Sequence, residues 1–456
     1  MTGASQRDLS ILLSQRGGAV PRYTSYPTAP HFEAGLGPQM QDALFGSLDD
    51  ATPVSVYLHI PFCDRLCWFC GCNTKHTLKY KPVHTYVEAL LAEIAALGDR
   101  LGFRPVAGQI HFGGGSPSIL SAEDMGRLGA ALRRSFHVTE QTEISVEIDP
   151  SDVTEDTLAG LHELGVTRAS VGVQDFDPLV QKAINRPQSF EQTRDVIAAM
   201  RAAGVGSVNI DALYGLPLQT RARLMRTIEQ VISLQPDRIA LFGYAHVPWV
   251  KKHQKMIKDE HLPDMHERFQ QALAAGAALV AAGYDAIGID HFARPEDGLA
   301  VAARTGHLRR NFQGYTTDQC RALIPLGASS IGAFDGGYVQ NIVATGQYQD
   351  AVHAARSTAS KGYRMSEDDR IRAHMIERLM CDFRIGFEAL EARFGAAAEP
   401  YINEALAIAE ADEDFICGAD IDGFFVPEDA RPFARLVAAR FDAHLHGSDF
   451  RYSKAV

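Results

Sequence analysis

The stretch SVYLHIPFCDRLCWFCGCN, residues 55–73, runs from an alternating β-branched and aromatic segment straight into three thiols, Cys63, Cys67 and Cys70, at C-x3-C-x2-C spacing. The first half reads as a strand and the second as the loop at its carboxyl end. Thiolates this close on one loop wrap a metal centre more readily than they pair into disulfides. Zinc sites usually take four protein ligands, whereas three clustered thiolates suit a 4Fe-4S cluster whose fourth iron stays open to chemistry. A structural zinc knuckle, or buried free thiols, is the competing reading of the spacing.

Outward from this loop the same theme repeats as far as residue 245. A short β-branched or aromatic run gives way to a loop and then to an amphipathic Ala/Leu-rich stretch. The strands read SVYLHIPF (55–62), QIHFGGG (109–115), EISVEIDP (143–150), RASVGVQ (168–174), SVNIDALYG (207–215) and RIALFGYA (238–245). Helices are expected near 83–100, 121–135, 154–164, 188–203 and 219–234. Alternation of this kind makes βαβ units, so the fold class is α/β: a (βα)6 partial barrel of TIM type with mainly parallel strands. Another helix near 264–282 and the strand-like AIGIDHFA and ASSIGAF extend it. From about 366 the chain reads as helices plus a hairpin turning at Asp420-Ile421-Asp422-Gly423. The expected division is an arm over residues 1–50, a catalytic domain over 51–335 and a small, mainly helical C-terminal domain over 336–456.

In parallel α/β folds the working residues gather at the carboxyl ends of the strands. All six ends here carry something chemical: the cysteine loop, Gly113-Gly114-Gly115, Glu147-Ile148-Asp149-Pro150, Gln174-Asp175, Asp211, and Tyr244-Ala245-His246. Side-chain alternation puts Tyr57 and His59 on one face of the first strand. They are the candidate catalytic pair, with a satisfied core histidine as the competing reading of His59. The three glycines let backbone approach a ligand closely, and no Gly-Lys-Ser/Thr follows them to make a P-loop.

Composition removes several classes. The net charge of -12 opposes a phosphate backbone, and no Lys/Arg stripe with interleaved aromatics overcomes it. Nucleic acid is therefore not an expected partner, and neither is a membrane, since ALAAGAALVAAGY (272–284) is well short of the roughly 20 residues that span a bilayer. Seven cysteines, four of them between Cys63 and Cys72, do not form a disulfide framework. With only Ile11–Leu13 apolar near the N-terminus, nothing reads as a signal-peptide core, and a cytoplasmic location is expected.

C-x3-C-x2-C with Phe69 before the last cysteine, on the loop after the first strand of a partial barrel, resembles the radical S-adenosylmethionine (SAM) signature. The further Cys72 in CWFCGCN, the arm PRYTSYPTAPHF (21–32), HFGGGSPS, SVGVQDFD with INRPQ, and NIDALYGLP resemble oxygen-independent coproporphyrinogen III oxidases, nearly over the whole chain. Trp68 departs from the tyrosine expected there but offers no ligand. The resemblance implies a 4Fe-4S cluster held by Cys63, Cys67 and Cys70, with Cys72 outside the ligand set. It implies that a 5'-deoxyadenosyl radical takes a hydrogen from the β-carbon of a substrate propionate. Carbon dioxide and one electron then leave, and a vinyl group remains. Two such rounds convert coproporphyrinogen III to protoporphyrinogen IX, using an electron donor and a terminal acceptor of unknown identity.

Two SAM molecules are implied. Tyr57, Gly114, Glu147 and Ile331 match the site for the first; Phe69, Gly115, Ser116, Gln174, Arg186, Asp211 and Ala245 match that for the second. Glu147 and Asp211 suit ribose hydroxyls, because a carboxylate accepts from two vicinal donors. The substrate's four propionates call for local cations, with Arg22, Lys251, Lys252, Arg309 and Arg310 as candidates. The arm is expected to cover the mouth, and the chain to act as a monomer. The competing function is that of haem-binding or haem-delivery relatives, which resemble a form with Phe in place of Cys72 and no tyrosine-rich arm.

Overall fold

The computed structural model describes residues 18–445 and residue 452. Six parallel strands form its centre: β1 (Val54–Ile60), β2 (Ala107–Gly114), β3 (Glu143–Ile148), β4 (Arg168–Gln174), β5 (Ser207–Tyr214) and β6 (Arg238–Gly243). The helices between them are α1 (Tyr80–Leu101), α2 (Ala122–Ser135), α3 (Glu155–Leu164), α4 (Phe190–Ala202) and α5 (Arg221–Ser233). From α2 onward each starts where the sequence supplies a hydroxyl: Ser121, Thr154, Ser189 and Thr220 each accept a first-turn backbone N–H, satisfying a donor the helix leaves orphaned. The outward strand residues, such as Val56, Leu58, Ile110 and Phe112, meet Leu90, Ile94, Leu128 and Leu132 of the helices in one continuous core. That packing leaves the other strand face, with Tyr57, His59, His111, Glu147 and Asp211, turned into the barrel.

The sheet is wider than the sequence pattern suggests. It holds thirteen strands among the described residues and grows at both ends. Beyond β6 lies the hairpin Asp285–Ile287 and His291–Ala293. Beyond β1 comes Ala322–Leu326, parallel to β1, followed by antiparallel Ile331–Phe334, Gly337–Asn341 and Ala359–Arg364. AIGIDHFA is thus a hairpin rather than one strand, and ASSIGAF sits at the opposite edge from it. Ala322–Leu326 escapes sequence detection because of Pro325, which disfavours a central strand. Here the proline ring lies against Gly332, where a Cβ would meet Pro325 Cδ at 2.6 Å.

The boundary expected at 335 falls inside this sheet, which runs on to Arg364. The boundary expected at 50 is likewise crossed, since Glu33–Ala34 pairs with Ala359–Arg364. After that come the helices Glu367–Asp382, Phe387–Phe394 and Glu399–Glu410 and a small sheet whose hairpin turns at Asp420–Gly423, as read from the sequence. These have their own apolar core, to which the arm residues Val20, Tyr23 and Tyr26 contribute. Residues 1–17 of the expected arm lie outside the described residues.

Candidate active site

The cysteine loop leaves β1 at Ile60 and is tied down from three directions. Asn185 Nδ2 donates to Leu66 O (2.9 Å) and Trp68 N to Ile184 O (2.9 Å), from the segment after β4. From the segment after β6, Gln254 Nε2 donates to both Phe69 O (2.9 Å) and Ala245 O (3.2 Å), His253 Nε2 donates to Cys70 O (2.7 Å), and Lys251 Nζ donates to Cys72 O (3.0 Å). Trp68 and Phe69 pack beside Val180, Ile184, Leu213 and Tyr244, so the departure at Trp68 is absorbed by apolar packing. The third tie is a histidine. His59 Nε2 donates to Asn73 O (2.9 Å), which leaves its Nδ1 to accept from Tyr57 OH (3.0 Å). Both ring nitrogens are taken and burial lowers its pKa, so His59 is a neutral brace of the loop with no nitrogen free to move a proton.

All three cysteines are free thiols with a donor nearby. Thr74 Oγ1 lies 3.0 Å from Cys63 Sγ, the Cys72 N–H points at Cys70 Sγ (3.3 Å), and Arg186 Nη1 reaches Cys67 Sγ at 3.5 Å. Arg186 is held by Asp149 (2.8 Å) and Gly172 O (2.8 Å), beside Gln174, while its buried Nε lacks a protein partner. Burial pushes the Cys63 thiol up to about 12 and raises Cys67, whereas the Cys72 donors lower Cys70 to about 7. Iron binding offsets the cost of buried thiolates. Among the described residues no three His, Cys, Asp or Glu side chains crowd closely enough to share one metal ion. A cluster takes one thiolate per iron and so spreads its ligands more widely than a mononuclear zinc site does. The donor set and the sulfur-directed hydrogen bonds fit a 4Fe-4S cluster.

Next to the loop, Gly114 holds φ +115°, and a Cβ there would stand 2.5 Å from the His59 ring; only glycine fits. The N–H groups of Gly114, Gly115 and Ser116 are committed to Glu147 Oε2 (2.9 Å), Ile60 O (2.8 Å) and Phe62 O (2.7 Å). A ligand at this turn therefore meets carbonyls, acceptors suited to an ammonium group. The Ser116 hydroxyl is also engaged, by Ser118 and Asp152. Burial opposes ionisation of Glu147, but His111 (3.4 Å) and the Gly114 N–H outweigh it, and its pKa lies below the usual carboxylate range. Asp211 goes the other way. Burial and the neighbouring Glu147 raise it to about 6 against hydrogen bonds from Ser170 (3.0 Å) and Asn209 (2.7 Å). It sits three residues below the end of β5 and faces the barrel interior rather than the rim.

The fold thus gathers Tyr57, His59, the three cysteines, Gly114, Gly115, Ser116, Glu147, Gln174, Arg186, Asp211, Phe69 and Ala245 around one mouth. Ile331 begins a strand of the extension, in the register that sets Pro325 beside Tyr57.

Residues 57–231 match the radical SAM superfamily. An oxygen-independent coproporphyrinogen III oxidase of Cereibacter sphaeroides is 46% identical over 436 residues, covering 96% of each chain. That of Bradyrhizobium diazoefficiens is 46% identical over 437 residues, covering 96% of this chain and 97% of its own. The chain belongs to the oxygen-independent coproporphyrinogen III oxidase family. A solved structure of coproporphyrinogen III oxidase from Escherichia coli, described as a radical SAM enzyme, superposes with a TM-score of 0.89 at 36% identity, over 96% of this chain and 99% of that one. This family assigns a 4Fe-4S cluster and SAM to the site, and the mixed sheet described above is the fold of the Escherichia coli enzyme.

Sequence reasoning missed the residues that hold others in place. In the sequence Asp149 reads only as part of a strand end, yet it orients Arg186. Gln254 and His253 lie in KKHQKMIKDEHL, where charge drew attention to the lysines; Gln254, only 1% exposed, carries the fixed hydrogen bonds. Of the substrate cations expected, Lys251 is spent on Cys72 O and Arg309 on Glu377 (2.8 Å), while Lys252 is exposed.

Proposed function

We propose that this chain carries out the anaerobic oxidative decarboxylation of two propionate side chains of coproporphyrinogen III, giving protoporphyrinogen IX for haem and other tetrapyrroles. The observation that carries this reading is the near-complete coverage by relatives of that name together with three free thiols on a braced loop at the barrel mouth. When bound, the cluster and SAM supply a one-electron route to a hydrogen-abstracting radical, and a reduction potential in the low part of the iron–sulfur range, which reaches about -700 mV, suits that task.

The chain's own residues bind and orient. Gly114 and Glu147 beside Tyr57, with Ile331 across the mouth, form the site we assign to the first SAM: carbonyls for its amino group and an ionised Glu147 for its ribose. Phe69, Gly115, Ser116, Gln174, Arg186, Asp211 and Ala245 form the site we assign to a second. At that site Arg186 offers its unpartnered Nε rather than its whole fork, since Asp149 and Gly172 hold the rest. Each propionate loses one hydrogen atom, one carbon dioxide and one electron, so an electron donor and a terminal acceptor belong to the reaction. No helix among the described residues is long and apolar enough to cross a membrane. We assign the chain as a monomer working in the reducing cytoplasm.

An anaerobic incubation of reconstituted protein with SAM, a reductant and coproporphyrinogen III, read by mass, tests the proposal. Two successive mass losses are expected, each of one carbon dioxide and two hydrogens. Haem bound with no vinyl product would instead establish haem delivery.

A further inference from the structure

Four arginines converge where β5 and β6 end. Arg22 of the arm donates to Gly243 O (2.8 Å), the last residue of β6. Arg310, from the hairpin Arg309–Asn311 and Gly314–Thr316, donates to the backbone oxygen of Arg22 (3.3 Å) and lies over the Tyr315 ring (4.4 Å). Arg435, of the C-terminal helices, reaches the arm's Val20 O (2.8 Å). Arg268 packs on Gly215, directly after β5. Tyr214, the last residue of β5, lies among them.

Among the described residues charge here is not balanced. The carboxylate there that faces the group is Asp290, which is held by His291 at 2.6 Å and stands 4.0 Å from Arg310 Nη1, beyond hydrogen-bond reach. The Arg310 side chain is 3% exposed, and its Nε and Nη1, like Arg268 Nε, are buried with no hydrogen-bond partner among the described residues. Buried guanidiniums are ordinarily paired, and an unpaired buried donor carries its full desolvation cost. Arg22, Arg268 and Arg435 have lowered pKa values, caused first by burial and partly by repulsion from neighbouring arginines. Such a cluster is complete only with an anion in it. Of the carboxylate, phosphate and sulfate groups that fit a guanidinium, the proposed substrate brings carboxylates on flexible arms. Arginine forks meet these through paired donors.

We propose that Arg22, Arg268, Arg310 and Arg435 form an anion pocket that receives propionate carboxylates of the substrate not under reaction, fixing the macrocycle so that another propionate faces the cluster loop. The pocket is built from the arm, the barrel extension and the C-terminal helices, so all three parts of the chain share in recognising substrate. This inference rests on the substrate reading given above, and its test separates the two.

The probes are coproporphyrin III, the stable oxidised macrocycle with the same four propionates, and its tetramethyl ester, titrated by fluorescence into anaerobic holoenzyme. Wild type is expected to bind the acid at least tenfold tighter than the ester. Arg310→Gln, Arg268→Gln and Arg22→Gln each weaken the acid at least fivefold and the ester less than twofold; Arg194→Gln, on the exposed surface of α4, changes neither. Circular dichroism melts confirm that each variant folds. Equal losses for acid and ester, or an unchanged affinity for the acid in all three variants, overturn the pocket, as does a wild type that binds no acid. Tight, arginine-dependent binding without vinyl product in the mass assay leaves the pocket standing and overturns the reaction.

Discussion

The two sides of the barrel mouth are finished to different degrees. On the β1 to β4 side most polar groups already have a protein partner: His59 uses both ring nitrogens, the turn amides are committed, and Arg186 is held by Asp149 and Gly172 with only its Nε unpartnered. On the β5 to β6 side Arg310 Nε and Nη1 and Arg268 Nε have no hydrogen-bond partner among the described residues. A braced side suits a cofactor that must be held in one place. An uncompensated side suits a large substrate that brings its own charge and must later leave. Pre-paired groups cost little to leave empty, whereas the arginines gain most when filled.

The comparison breaks most violently at the cysteines. Cys67→Ala, and likewise Cys63→Ala or Cys70→Ala, is expected to lose the cluster and drop turnover below detection, a fall of more than about a thousandfold by the scale of removing an essential group. Cys72→Ala keeps its iron and its spectrum, because it offers no ligand. Iron content and electron paramagnetic resonance of oxygen-free preparations decide both. Full iron retention in Cys67→Ala, or loss in Cys72→Ala, would reverse the ligand assignment.

The next effect is in pH. Asp211, raised to about 6 by burial and by Glu147, is protonated below that pH and loses acceptor capacity for a ribose. The KM for SAM should therefore rise as pH falls through about 6, and Asp211→Asn should remove the inflection while raising KM several-fold at pH 7.5. Stability moves in the opposite sense. A carboxyl whose folded pKa is raised favours the fold fully below its ordinary value of 3.8 and loses that contribution as pH rises through about 6. Asp211→Asn should then melt at or above wild type at pH 8, with the difference closing near pH 4. A KM that is flat from pH 5 to 8 would remove Asp211 from the SAM site.

How much of this was legible beforehand follows from what periodicity can see. The six strands and five helices of the barrel each appear within a few residues of their expected place, because βα units repeat one buried pattern. The mouth was legible too, since a parallel sheet sends its loops to one end. The extension was only half legible: Pro325 hid a central strand, and three-residue strands such as His291–Ala293 carry too little alternation to be seen. The braces Gln254, Asn185 and Asp149 were illegible for another reason. They act through backbone carbonyls and one guanidinium more than a hundred or a few tens of residues away, and nothing in their own neighbourhood signals it. Arg268 and Arg435 stand in ordinary helix sequence, and only the fold brings them to Arg22.

Those braces set the third test, on the finished side. Gln254→Leu keeps the volume but leaves Phe69 O, Ala245 O and the Val247 N–H without their partner. An unsatisfied buried group costs about 1–3 kcal/mol, which lowers the melting midpoint by a few degrees in a chain of this size. Because the loop that loosens is the cluster loop, oxygen should bleach the iron–sulfur absorbance several times faster than in wild type, while affinity for coproporphyrin III changes little. Bleaching at the wild-type rate would mean that the loop holds its shape without Gln254.

The smallest effect lies far from the mouth, at the tip of the C-terminal hairpin. Ile421 is 94% exposed, and its turn is organised instead by Asp420, whose carboxylate accepts the Asp422 and Gly423 N–H groups and pairs with Arg384. Removing an apolar side chain that buries almost nothing forfeits almost nothing. Ile421→Asp should leave the melting midpoint within about 1 °C of wild type, as a change within about 0.5 kcal/mol predicts, and should not alter turnover. A drop in turnover with an unchanged midpoint would move the hairpin from bystander to contact surface.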